Sequence, residues 1–294
     1  MSELTRAAML RHMRDALHNA GLDSAALDAR LLLAAAIGAD ATELARAPEA
    51  EMTQGEIAQA EDFLAQRLAH RPVAKIIGQK EFWGRAFSVS DAVLDPRPDS
   101  ETLIELALEK CPMQTAFSVL DLGTGSGCLL LTLLAERPHA HGLGVDKSTA
   151  ALAVAEANAV RLGLSDRAEF APSDWFENVS QPYHLIVANP PYIETGALAR
   201  LPEDVRLYDP MAALDGGPDG LEPYRQIVAD AASYLEADGW LIFEVGHKQA
   251  EAVSALMRRA GFDAVTIAAD LAGHQRVVAG RMLAAPPQKS AAEK

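Results

Sequence analysis

Several kinds of protein are excluded by what this chain has little of. It holds 2 cysteines in 294 residues, Cys111 and Cys128. Neither metal-ligand nor redox spacing relates them, which argues against a disulfide scaffold and agrees with a reducing compartment. Cys128 follows the last glycine of a loop, where a helix dipole could stabilise a thiolate, but packing is the commoner use of such a residue. Excess positive charge is also missing. The formal net charge is -15, so the overall field repels phosphate backbones and leaves no general nucleic-acid footprint. No apolar run has the length of a membrane span, and residues 1–20 mix charges into their apolar positions instead of building a signal-peptide core. A cytoplasmic location is the expectation. Apolar residues, by contrast, make up 49% of the chain, enough for a packed core. The length suits two domains.

Along the chain, residues 1–70 read as a small helical bundle. Leu10, Met13 and Leu17, then Leu27, Leu31 and Leu32, recur at helical spacing. Thr53 with Glu56 three residues later reads as a capping box opening a helix through Ala69, and Gly38 as the stop of the helix before it. Residues 71–98 change in texture: Gly78, Gly84, Pro72, Pro96 and Pro98 punctuate short stretches such as Lys80 to Trp83 and Arg85 to Val89, the pattern of a β-hairpin connector. From about Asp99 to 283, short apolar strands alternate with helices. Strands are expected at Ser118 to Leu122, Gly142 to Val145, Ala168 to Ala171, Leu185 to Ala188 and Leu241 to Val245. Apolar strands of this kind between helices indicate an α/β fold with a parallel sheet covered on both faces. The last two strands, Ala264 to Ala268 and Val277 to Arg281, are joined by a loop too short for a crossover helix, so they form an antiparallel edge pair. Residues 284–294 read as a disordered tail. No internal repeat is visible.

The residues that carry chemistry follow the strand ends. Asp121, Gly123, Gly125 and Gly127, with Thr124 and Ser126 between them, form Asp-x-Gly-x-Gly-x-Gly at the first turn from strand to helix. Glycines let a backbone approach a ligand closely, and the crevice at the carboxyl ends of such strands is where nucleotide-like molecules sit. Asp146 ends the next strand, where a carboxylate can accept both hydroxyls of an adenosine ribose. That acid suits NAD equally. The glycine spacing, however, departs from the Gly-x-Gly-x-x-Gly pattern that seats a pyrophosphate, which favours a ligand without one, such as S-adenosylmethionine. After the third strand Trp175 could stack on adenine and Asp174 accept from its exocyclic amine; the bland alternative is a tryptophan covering a sheet edge. Asn189, Pro190, Pro191 and Tyr192 follow the fourth strand, beside the first in a sheet of this type. Two acceptors there, the Asn189 side-chain oxygen and the Pro190 carbonyl, suit a planar nitrogen that must be bent to react. Proline fixes the backbone and removes a competing donor, and Tyr192 can stack on a flat substrate group. No residue cluster has metal-ligand spacing.

At these residues the chain resembles the release factor glutamine methyltransferases, over nearly all of residues 1–283. The resemblance also rests on Arg71, Pro72, Val73, Gly78, Glu81, Phe82 and Trp83, on Pro96, Arg97, Pro98, Asp99 and Glu101, and on Pro210, Gly216, Gly217, Asp219, Gly220 and Leu221. It implies a helical substrate-recognition domain, a β-hairpin connector and a seven-stranded, Rossmann-like class I methyltransferase sheet. It further implies that Asp121, Gly123 to Gly127, Asp146, Asp174, Trp175 and Asn189 contact S-adenosylmethionine. Asn189 and Pro190 would act in catalysis, and Asn189 to Tyr192 would bind the glutamine of the Gly-Gly-Gln loop of peptide chain release factors. The chain departs from the family's usual residues at Lys75, Asp95, Ser100 and the pair His274-Gln275.

Other functions share parts of this pattern. Glutamine methylation of a ribosomal protein would use the same site. Methylation of exocyclic amines in RNA or DNA is disfavoured by the acidic balance and the absence of a basic, aromatic-rich appendage. A nicotinamide oxidoreductase is disfavoured by the glycine spacing, and a non-catalytic adenosylmethionine-binding module leaves the Asn189 to Tyr192 tetrad without a purpose.

Overall fold

A computed structural model describes residues 4–111, 113 and 116–283; the expected tail at 284–294 lies outside them. By internal contacts the chain divides into two units, Met1–Gln79 with Pro202–Tyr208, and Lys80–Leu201 with Asp209–Lys294. The first division falls at Gln79, whereas the change of sequence texture begins at Arg71.

The first unit is helical: α1 (Arg6–Asn19), α2 (Ala25–Ala36), α3 (Ala41–Arg46), α4 (Gln54–Leu68) and α5 (Val73–Ile77). Met9, Met13 and Leu17 of α1 meet Leu32 and Leu33 of α2 and Leu64 of α4 in one core. The capping box at the start of α4 is present: Glu56 N–H donates to the Thr53 hydroxyl at 3.2 Å, and Thr53 N–H to the Glu56 carboxylate at 2.7 Å. Helix α5 was not expected, because five residues after Pro72 are too few to show a period. Residues Pro202–Tyr208 join this unit through Tyr208, whose hydroxyl donates to the Ala69 carbonyl at 2.8 Å. The buried Lys75 ammonium donates to the Tyr208 carbonyl. A buried cation needs such an acceptor, which gives this departure from the family's usual residue a local structural partner.

In the second unit a two-stranded sheet pairs β1 (Gln79–Phe82) with β2 (Arg85–Ser88). Then follow α6 (Glu101–Lys110), β3 (Ser118–Leu122), α7 (Cys128–Glu136), β4 (His141–Asp146), α8 (Thr149–Leu162), β5 (Ala168–Pro172), β6 (Tyr183–Ala188), α9 (Glu203–Tyr208, in the first unit), α10 (Glu222–Ala231), β7 (Leu235–Glu244), α11 (Ala250–Arg259), β8 (Asp263–Ala269) and β9 (Gln275–Arg281). The seven-stranded sheet has the order β5-β4-β3-β6-β7-β9-β8. Strands β3 to β7 run parallel to one another; β9 pairs antiparallel with β7, and with β8 as their short connection requires. Two apolar layers cover its faces. Leu103, Leu130 and Leu134 belong to one, and Tyr224, Ile227, Val253 and Met257 to the other. Among the described residues no helix is long and apolar enough to cross a membrane. The order reverses between β3 and β6, so the crevice over their carboxyl ends is the natural place for a ligand.

Candidate active site

Three glycines with left-handed backbones, Gly123 (φ 71), Gly125 (φ 54) and Gly127 (φ 77), turn the chain from β3 into α7. Side chains are strained in that region, so the sequence must place glycine there. The N–H groups of Gly123 and Thr124 both donate to the Val145 carbonyl at 2.9 Å, which fastens the loop to the end of β4. Asp146 completes the fastening. Its Oδ2 accepts from Gly125 N–H at 3.0 Å and its Oδ1 from Ser148 N–H at 2.8 Å, and each oxygen keeps a further lone pair for a ligand hydroxyl. Behind the loop Asp121 is 1% exposed and accepts from the Thr124 hydroxyl at 2.7 Å. Burial pushes its carboxyl up to about 7, against the hydrogen bond from Thr124. Its Oδ1 is buried without a hydrogen-bond partner.

Trp175 lies across the loop: a Cβ on Gly123 would stand 3.7 Å from the indole. Its backbone has the unusual φ of 47, held by the Ser173 hydroxyl, which donates to the Trp175 carbonyl at 2.9 Å. The indole N–H donates to Gln226 at 2.8 Å.

The Asn189 to Tyr192 turn leaves β6 next to this loop, since β6 pairs directly with β3. A glycine-rich segment presses against it. A Cβ on Gly216 would come within 2.8 Å of the Pro191 carbonyl and of Tyr192 Cα, and one on Gly220 within 2.4 Å of the Tyr192 carbonyl. Gln249 locks the contact, donating through Nε2 to the carbonyls of Tyr192 at 2.9 Å and Gly220 at 3.2 Å. Glu244, 2% exposed at the end of β7, accepts a hydrogen bond from the Ser100 hydroxyl and follows Phe243, which pairs with Ala188 of β6. Burial pushes its carboxyl up to about 7, against the hydrogen bond from Ser100. Burial also raises the Tyr192 phenol, and the Glu244 charge adds to that rise.

These elements enclose a cleft of about 430 Å³. Gly123, Thr124, Gly125, Ser126, Asp146, Trp175 and Asn189 all line it, and Pro191 joins them. Asp121, Gly127, Pro190 and Tyr192 lie behind the lining, Tyr192 with its ring against Gly246. Asp174 instead faces a neighbouring groove with Phe176, Glu177 and Asp230, and its carboxylate stands 2.8 Å from Lys147 Nζ. The charged side chains lining the cleft are Asp95, Arg97, Asp146, Lys147, Asp215 and Glu222. Arg97 is paired with Asp209 at 3.0 Å and Lys147 with Asp174. Such a lining suits a ligand that carries positive charge and an adenosine, and it opposes a pyrophosphate. The sequence reading did not single out Glu244 or Gln249. One hint was available for Glu244: it is a carboxylate inside the apolar run of β7.

The strand order, the glycine turn after β3 and a cleft over the carboxyl ends of the strands define a Rossmann-like methyltransferase of class I. Residues 8–78 match the family described as PrmC N-terminal domain, and residues 97–201 the Methyltransferase small domain. The release factor glutamine methyltransferase of Caulobacter vibrioides is 44% identical over 268 residues, 91% of this chain and 93% of that protein. That of Cereibacter sphaeroides is 47% identical over 266 residues, 90% of this chain and 94% of its own. The chain belongs to the release factor glutamine methyltransferase family. Its fold is also that of a methyltransferase from Pyrococcus furiosus, with a TM-score of 0.52 and 13% identity across 76% of this chain and 100% of that one.

Proposed function

We propose that this chain transfers the methyl group of S-adenosylmethionine to the side-chain amide nitrogen of the glutamine in the Gly-Gly-Gln loop of peptide chain release factors. The observation that carries the reading is the shared cleft: Asn189, off the end of β6, lines the same 430 Å³ as Gly123, Gly125 and Asp146. Asp146 offers its free lone pairs to the ribose hydroxyls, each charged hydrogen bond contributing about 1.5–3 kcal/mol. Trp175 flanks the adenine. Asp121, though behind the lining, sets an acid near the positive end of the donor, whose charge favours its ionised form, and the glycine turn lets backbone come close. The donor, when bound, supplies a methyl group on a positively charged sulfur.

The amide nitrogen is the difficult partner, because its lone pair is delocalised into the carbonyl. It becomes nucleophilic only when its two N–H groups are drawn out of the amide plane. Asn189 Oδ1 accepts one of those hydrogens and Pro191 flanks the flat group; the Pro190 carbonyl, assigned the second hydrogen, and Tyr192, assigned the stacking face, stand just behind that lining. Orientation of this kind contributes about 7–11 kcal/mol to lowering a barrier. No base is needed before transfer: alkylation makes the nitrogen's proton acidic, and it then leaves to water. Asp174, paired with Lys147 in the next groove, has the weakest claim on the donor. The helical first unit is assigned to release-factor recognition, and the work to the cytoplasm, in keeping with Cys111 and Cys128 being free thiols.

Incubation with labelled donor and either a release factor or stripped RNA tests the reading. Label on the Gly-Gly-Gln glutamine amide is expected; label in RNA alone overturns the substrate class.

A further inference from the structure

The glycine loop is held from two sides. Its first half is fastened to the end of β4 through Val145 and Asp146. Its second half leans on α8 instead. A Cβ on Gly127 would stand 3.2 Å from that of Ala155, and three residues along the same helix face Asn158 Nδ2 donates to the Ser126 carbonyl at 2.9 Å. Asn158 also reaches the end of β2: its Nδ2 donates to the Ser88 carbonyl at 3.0 Å, and its Oδ1 accepts from Ser88 N–H at 2.7 Å. Asn158 is 0% exposed and does not line the cleft.

Those bonds fix which way the Asn158 carboxamide points. Its nitrogen carries two hydrogens and meets two carbonyls; its oxygen accepts and meets an N–H. The reverse orientation would set an oxygen against both carbonyls. A buried carbonyl left without a donor is costly, so the Ser126 peptide has one favoured direction. Gly125 and Gly127 on either side of it supply little restraint of their own. Ser126 itself lines the cleft. The loop face that meets the donor is therefore set from behind, by a residue of α8 that is bonded equally to the hairpin.

We propose that Asn158 is a positioning residue for the methyl donor: it registers the Ser126 end of the glycine loop against the β1–β2 hairpin, so that donor affinity depends on a strand outside the cleft. This rests on the glycine loop being the donor site, as proposed above. Without the tie the loop spends a smaller fraction of time in its binding form, and apparent affinity falls by that fraction. Transfer in the loaded enzyme is untouched, because other residues hold the acceptor turn.

The test compares the full-length parent with N158A, N158L, S88A and D146A. Three quantities are read: the calorimetric dissociation constant of adenosylmethionine, kcat at saturating donor, and the melting temperature. N158A is expected to raise the dissociation constant about tenfold and to keep kcat within about threefold. N158L fills the same space without a hydrogen-bond donor and should bind adenosylmethionine no better than N158A. S88A leaves both backbone bonds to Asn158 in place and should match the parent. A merely structural staple lowers the melting temperature alone, so N158A with donor affinity within about threefold of the parent overturns the proposal. Parental affinity in N158L overturns it too, as does a loss in S88A equal to that in N158A. Should the Asn158 variants fail to fold, amide exchange in the unsubstituted protein reads the same link. Saturating donor should slow exchange of the Ser88 N–H about fivefold or more, and an unchanged rate overturns the proposal. The two readings separate through D146A: parental donor binding there removes the donor-site assignment, whereas a weakened D146A beside an unimpaired N158A removes this inference alone.

Discussion

The donor wall and the acceptor wall of the cleft are held together over very different stretches of chain. On the donor wall the glycine loop is tied locally, Gly125 N–H to Asp146 across 21 residues and Thr124 to Asp121 across 3, and Trp175 reaches Gln226 across 51. On the acceptor wall Gln249 reaches Tyr192 across 57 residues, and Ser100 reaches Glu244 across 144. Apart from Trp175, the donor wall is thus two neighbouring strand ends and their turns. The acceptor wall is a short turn braced by residues from β7, α11 and the segment before α6. Substitutions on the two walls should consequently separate donor binding from methyl transfer.

The largest separation is expected from Asp146→Ala. Loss of two charged hydrogen bonds to the ribose should raise the donor dissociation constant at least about a hundredfold, with kcat at saturating donor nearly kept; isothermal titration and initial rates measure both. An unchanged dissociation constant would remove Asp146 from the donor wall. A smaller and opposite effect is expected from Gly220→Ala. Its φ is 70 and its new Cβ would meet the Tyr192 carbonyl at 2.4 Å, a strain on the order of 1–3 kcal/mol. Transfer should fall about tenfold or more while donor affinity stays within a few fold. Equal losses in both would mean that the walls are not independent.

The smallest effect concerns the support of the donor wall. Asp121 has a folded value of about 7 against an ordinary value of 3.8. The native state therefore holds a proton that the unfolded chain has already released between those values. The stability this gives is complete below 3.8 and is lost as pH rises through 7. Asp121→Asn keeps an acceptor for Thr124 and does not titrate. Its melting temperature should gain on the parent by a few degrees between pH 5 and pH 8; parallel curves would contradict the burial argument.

The same contrast explains what could be read in advance. The ends of β3, β4 and β6 carry their chemistry within a few residues of an apolar strand, so Gly123 to Gly127, Asp146 and Asn189 were legible from periodicity and turn residues. Glu244 was not, because a strand boundary read from apolar character swallows the acid at its end. Strand β7 begins earlier than expected, at Leu235 rather than Leu241. Glu236, Asp238 and Gly239 look like a turn, and Asp238 does have a φ of 65. The grouping of Pro202–Tyr208 with the first unit had no local signal, since Lys75 and Ala69, which hold Tyr208, lie more than a hundred residues away.

The central claim is that Asn189 acts on the substrate nitrogen and not on the donor. Measuring single-turnover transfer to a release factor and adenosylmethionine binding on the same preparation of Asn189→Ala tests it most directly. The account predicts that transfer is abolished while the dissociation constant moves by no more than about a few fold. Retained transfer, or donor binding lost along with it, would contradict it.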